Sequence, residues 1–80
     1  VGRVESQPLI VDARGLRCPL PVLRLRKLAE GHRGRVELLT DDPAAEADVP
    51  AFARERGWTV ADRGRDDGTT RWLIEVGGAG

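Results

Sequence analysis

Cys18 is the only cysteine of the chain, and it stands between Gly15-Leu16-Arg17 and Pro19-Leu20-Pro21. A sulfur nucleophile is thereby set where a glycine-bearing turn meets a proline-marked helix start. Proline within a helix removes a hydrogen bond and crowds the preceding turn, but first-turn N–H groups have no intrahelical acceptor to lose. With Pro19 as the first helical residue and Pro21 the third, Cys18 takes the N-cap, its sulfur facing its own N–H and that of Leu20. A thiol at the positive end of a helix dipole ionises more readily than a free one, and the thiolate is the reactive form. Cysteine caps a helix less well than Ser, Asp or Asn, by ~1 kcal/mol, so its use there points to a demand for sulfur reactivity. The competing reading is a buried, inert cysteine that fills space beside a sheet. The polar, surface-directed segment Gly15-Leu16-Arg17 argues against it.

A chain of 80 residues builds one domain with a modest core and no second lobe to enclose a substrate. The expected core runs from about residue 8 to 76, with flexible ends at 1–7 and 77–80. Gly77-Gly78-Ala79-Gly80 reads as a loose tail; in ubiquitin-like sulfur carriers the chain ends on a diglycine itself, whereas here two residues follow it. One cysteine excludes an internal disulfide, and with one histidine and no Cys-x-x-Cys there is no zinc framework. No metal or cofactor is expected. The absence of a bilayer-length apolar run or a signal-peptide pattern leads to the expectation of a cytoplasmic protein, not inserted in membrane, in which a lone thiol stays reduced.

Thirteen basic and thirteen acidic side chains cancel, yet they are segregated along the chain. From Arg14 to Arg35 the only acid is Glu30, whereas Asp41 to Asp48 carries four acids and no base. Such a domain can dock an oppositely patterned partner without being a general polyanion binder.

Leu9-Ile10-Val11 reads as a buried strand followed by the cysteine loop. The first helix is expected from Pro19 to about His32. Pro21, Val22, Leu25, Leu28 and Ala29 share its core-facing stripe, and Leu20, Leu23, Arg24 and Lys27 lie on the opposite, wet side. Two leucines among cations beside a thiol form a candidate docking surface, with Arg17 nearest the sulfur in sequence. Gly31 and Gly34 bracket the helix end, and His32 reads as a capping or solvent residue. Arg35 to Thr40 alternates as a second strand, which completes a βαβ unit. Asp48-Val49-Pro50 repeats the grammar of a helix start, with Val49, Phe52 and Ala53 as the apolar stripe up to Gly57. Trp58-Thr59-Val60 and Trp72 to Val76 form the last strands, joined through Asp67-Gly68 in a turn loosened by Arg65 and Asp66. The order is βαβαββ, with two helices on one face of a four-stranded mixed sheet and Trp58 or Trp72 as a large core residue.

Gly15-Leu16-Arg17-Cys18-Pro19-x-Pro21-Val22 resembles the Cys-Pro-x-Pro signature of the TusA/SirA-type sulfur-carrier family. Asp41-Asp42-Pro43-Ala44, Asp48-Val49-Pro50-Ala51-Phe52 and Gly57 resemble its second block, so that the similarity runs from about Leu9 to Val76. The resemblance implies a two-layer α/β sandwich like the C-terminal domain of translation initiation factor three. It also implies that Cys18 accepts sulfane sulfur as a persulfide from a donor protein, such as a cysteine desulfurase or a rhodanese-like enzyme, or from a thiosulfate source. Cys18 would then relay it to an acceptor protein in tRNA thiolation, molybdenum-cofactor synthesis, sulfur oxidation or thiosulfate assimilation. Gly15, Pro19, Leu20 and Pro21 would shape the site, and Arg24 and Lys27 match basic positions of that family's first helix. Several tRNA-pathway members carry an acid between the two prolines; here the residue is Leu20, which points to a different partner.

A noncatalytic nucleic-acid or protein-binding regulatory module is the alternative, supported by the basic first helix. Zero net charge and only three aromatic residues, Phe52, Trp58 and Trp72, weigh against stable nucleic-acid binding. A thiol redox protein would need glutathione or a second molecule to supply the resolving thiol. The expected species is a monomer.

Overall fold

Alternation along the last strand decides which face of the sheet is covered: Thr70, Trp72, Ile74 and Val76 are buried, while Arg71 and Glu75 are exposed. The computed structural model describes residues 9–77. The expected flexible ends lie outside that range apart from Gly77, which adopts φ +65° so close to the chain at His32 that a Cβ would sit 2.8 Å from the His32 carbonyl oxygen. The elements are β1 (Leu9–Asp12), α1 (Leu20–Ala29), β2 (Gly34–Thr40), α2 (Ala45–Arg56), β3 (Thr59–Asp66) and β4 (Thr69–Val76), in the expected βαβαββ order.

The strands lie in the order β1-β2-β4-β3. β1 pairs parallel with β2, Val11 opposite Leu38, as a strand–helix–strand connection requires; the other pairings are antiparallel. Val11, Val36, Leu38, Trp72, Ile74 and Val76 form one core with Leu25 and Ala29 of α1 and Ala45 and Val49 of α2. Both helices therefore cover the same sheet face, and Ile10 on the other face is 60% exposed. Trp72 is the large core residue, its Nε1–H donating to the buried Thr40 hydroxyl at 3.0 Å. Trp58 is only half-buried, edge-on to Phe52 with 5.6 Å between ring centroids.

Several boundaries differ from the sequence reading. α1 starts at Leu20 and ends at Ala29, because Glu30 turns extended and the Gly31 backbone turns left-handed. Leu28, assigned to the core stripe, is 44% exposed, whereas Pro21, Leu25 and Ala29 are buried as expected. α2 starts at Ala45, not after Asp48. Its first turn forms on Asp42-Pro43, with Ala45 N–H donating to the Asp42 carbonyl at 2.9 Å and Glu46 N–H to that of Pro43 at 3.1 Å. Pro50 lies inside the helix and costs the bond its N–H would have given the Glu46 carbonyl. The far end matches expectation: Gly57 is left-handed at φ 77°, and Trp58 N–H closes on the Ala53 carbonyl at 2.8 Å.

The β3–β4 hairpin is tighter than expected. Asp67 and Gly68 both have positive φ, 54° and 84°, as a two-residue turn of matching twist requires. Arg65 and Asp66 stay in register with Thr70 and Thr69 and do not loosen it.

Candidate functional site around Cys18

The loop between β1 and α1 is fastened at both ends. Ala13 N–H continues the β1–β2 pairing by donating to the Leu39 carbonyl at 2.8 Å. Arg14 folds back on Asp12 with contacts of 2.9 and 2.8 Å, and these bonds hold the Asp12 carboxyl down at about 2. Gly15 takes φ 85°, a left-handed turn that favours glycine, and gives its N–H to the Asp41 carboxylate at 2.9 Å. Leu16 tucks partly against the core. The N–H of Cys18 donates to Asp42 Oδ2 at 2.6 Å. Two adjacent carboxylates from the turn before α2 thus carry the backbone of the cysteine loop.

The Cys18 side chain is exposed, so it is not the inert core cysteine of the competing reading. Its electrostatic setting, however, is the reverse of the one expected. The N-cap is Pro19, and Cys18 lies one residue before it. The Cys18–Pro19 peptide is cis. The donors expected to face the sulfur are used elsewhere: Leu20 N–H goes to the Arg17 carbonyl at 2.7 Å and Cys18 N–H to Asp42. Pro19 and Pro21 have no N–H to offer. The thiol instead donates to Asp48 Oδ2 at 2.9 Å. That hydrogen bond, partial desolvation, and the negative charges of Asp48 and Asp42 push the Cys18 thiol up from its ordinary range.

The remaining predicted site residues fall on the cysteine loop and along α1. Leu20 and Leu23 are 47% and 45% exposed on α1, beside exposed Arg24 and Lys27, while Pro21 is buried under the first turn. Arg17 is exposed and lines, with Gly15, Asp41, Asp42 and Pro43, an open cleft of about 370 Å³ between the cysteine loop and the acidic turn. His32 is remote in role: its Nε2 lies 3.1 Å from the Arg35 carbonyl oxygen at the far end of α1. Among the described residues no cluster of three or more His, Cys, Asp or Glu is arranged to hold a metal ion. No helix there is long and apolar enough to cross a membrane.

Residues 9–76 match the family model described as Sulfurtransferase TusA, which spans both the cysteine loop and the acidic turn that carries it. The chain belongs to the TusA sulfurtransferase family. A candidate sulfur carrier protein of Archaeoglobus fulgidus is 39% identical over 69 residues, 82% of this chain and 90% of that protein. A candidate sulfur carrier of Neisseria meningitidis serogroup A is 37% identical over 67 residues, 81% of this chain and 90% of its own. The crystal structure of a SirA-like protein from Desulfitobacterium hafniense superposes with a TM-score of 0.72 at 27% identity, covering 86% of this chain and 97% of that one. Sulfur carriage within the TusA family and the two-layer fold agree with the expectations drawn from the Cys-Pro-x-Pro and Asp-Asp-Pro blocks.

For this TusA-family chain, the residues missed as parts of the site are Asp41, Asp42 and Asp48. The sequence carries their signal as the acidic run from Asp41 to Asp48, but that run alone has the pattern of a partner surface, and Asp48 that of a helix cap. Folding turns the run inward on the cysteine loop. Asp48 lies in the first turn of α2, and the packing of α2 against α1 brings its carboxylate to the sulfur.

Proposed function

We propose that Cys18 is loaded with sulfane sulfur as a persulfide and passes it to an acceptor protein. The observation that carries this reading is an exposed thiol, the chain's only cysteine, in the Cys-Pro-Leu-Pro segment of a TusA-family fold. In loading, the Cys18 sulfur bonds to the outer sulfur of a donor persulfide and the donor's S–S bond breaks. The donor sulfur leaves with the electron pair and takes up the proton that Cys18 gave up, so nothing is oxidised or reduced overall. Transfer onward repeats the exchange with Cys18 as the leaving group.

The cleft beside Arg17 is open and suits contact with a protein surface better than burial of a small ligand. The exposed α1 face formed by Leu20, Leu23, Arg24 and Lys27 is the docking surface in this reading, extended by Arg17 at the sulfur. The compartment is the cytoplasm, where the thiol stays reduced. Incubation with a cysteine desulfurase and cysteine, or with a thiosulfate-fed sulfurtransferase, should add one sulfur mass to the intact protein. Cys18→Ser should abolish the adduct with the fold unchanged; an adduct that persists in that variant, or none in the wild type with competent donors, overturns the reading.

A further inference from the structure

We infer that Asp48, seconded by Asp42, is a specificity residue that turns anionic small-molecule sulfur donors away from Cys18 and leaves loading to sulfur presented by a protein. This rests on the sulfur-carrier reading and adds a substrate class to it. Asp48 Oδ2 lies 2.9 Å from the sulfur, and the Asp42 carboxylate 2.6 Å from the nitrogen of the same residue. Both carboxylates come from the α2 side of the site. On the α1 side the first turn carries no acid, and its leading residues are Leu20, Pro21 and Val22. Arg17 is the nearest cation along the chain, and it opens onto the cleft that it shares with Asp41 and Asp42. Arg14, the other cation of the loop, is spent on Asp12. An approaching electrophile therefore meets the Asp48 carboxylate in contact with the sulfur, the Asp42 carboxylate on the backbone of the same residue, and the exposed Arg17 facing the cleft.

Thiosulfate is a dianion. To load Cys18 directly, its outer sulfur must bond to the Cys18 sulfur while the bond to the sulfite group breaks, sulfite leaving with the electron pair and picking up the thiol proton. Both ends of that reaction bring negative charge to Asp48. Two like charges ~4 Å apart repel by enough, even in water, to slow an encounter about fivefold per charge pair. A protein donor escapes this penalty, because its own surface can supply a cation opposite Asp48 and solvent leaves the contact.

The test compares alkylation of Cys18 by iodoacetamide, which is neutral, and by iodoacetate, which carries one negative charge. Both reagents consume the same thiolate, so their rate ratio reports the local field and cancels the fraction ionised. The wild type should prefer iodoacetamide several-fold more strongly than free cysteine does. Asp48→Asn should bring the ratio back toward that of free cysteine, and near-molar NaCl should do the same to the unaltered wild type, a check that needs no folded variant. Asp48→Asn should also speed direct loading by thiosulfate relative to loading by a protein persulfide. A wild-type ratio equal to that of free cysteine, or a raised ratio that neither Asp48→Asn nor salt moves, overturns the proposal. Failure of the sulfur-carrier reading has a separate signature, no sulfur adduct from any donor.

Discussion

Asp42 accepts the backbone N–H of Cys18 at 2.6 Å, so the loop bearing the thiol hangs from the turn that starts α2. The same carboxylate receives Ala44 N–H at 3.3 Å and so shapes its own turn as well. Asp42→Ala should cost about 1 kcal/mol in urea unfolding, the value of a charge-assisted bond discounted for solvent exposure. Amide exchange at Cys18 should quicken more than exchange in β4. Equal exchange in wild type and variant would show that the loop is held without Asp42.

The Cys18 thiol should ionise above the ordinary range of a free cysteine, because Asp48 accepts its proton and both Asp48 and Asp42 oppose the anion. A pH series of iodoacetamide alkylation should therefore rise late, and Asp48→Asn should shift its midpoint down. At neutral pH that variant should react faster, since the thiolate is the nucleophile.

Glu46 ties α2 to the sheet by accepting the Thr70 hydroxyl at 2.6 Å and pairing with Arg63. Burial pushes the Glu46 carboxyl up, but the Thr70 and Arg63 hydrogen bonds and the charges of Arg63 and Arg65 outweigh it, and the group lies below its ordinary range. A depressed folded pKa means that ionised Glu46 stabilises the protein above the unfolded value, and that this contribution is lost as pH falls through the folded one. Glu46→Gln should lower stability at neutral pH by about 1 kcal/mol, and the gap to wild type should close in acid. Thermal melts of both proteins across that range decide it.

Trp72→Phe should be among the more damaging conservative changes. It shortens the largest core side chain and strips the buried Thr40 hydroxyl of its donor. The combined cost is about 2 kcal/mol, which for a domain of this size lowers the melting temperature by roughly 10 °C. Thr40→Val made together with Trp72→Phe should recover part of the loss, because no polar atom is then left unpaired.

Charge reversal at Arg24 and Lys27 should slow loading of Cys18 by a cognate protein donor and leave reaction with small persulfides nearly unchanged. Equal slowing of both would mean that these cations act on the sulfur and not on a docked surface.

Periodicity and turn chemistry made much of this protein legible. The apolar-rich strand segments from Arg35 to Thr40 and from Trp72 to Val76, the Asp67-Gly68 pair and the Gly57 stop depend on local backbone geometry, which neighbours in sequence dictate. The exposed cysteine likewise follows from a short contiguous motif, and the family from that motif together with the Asp41-to-Phe52 block at its spacing. What local grammar misjudged were the helix starts: Pro19 and Asp48-Pro50 have the composition of caps, yet α1 begins after Pro19 and α2 begins ahead of Asp48. The state of the thiol was decided by tertiary structure alone. Cys18 and Asp48 are separated by 30 residues and meet only because α1 and α2 pack side by side on one sheet face. Electrostatic influence depends on distance through space, so a carboxylate remote in sequence overrides the helix dipole that the adjacent residues suggest.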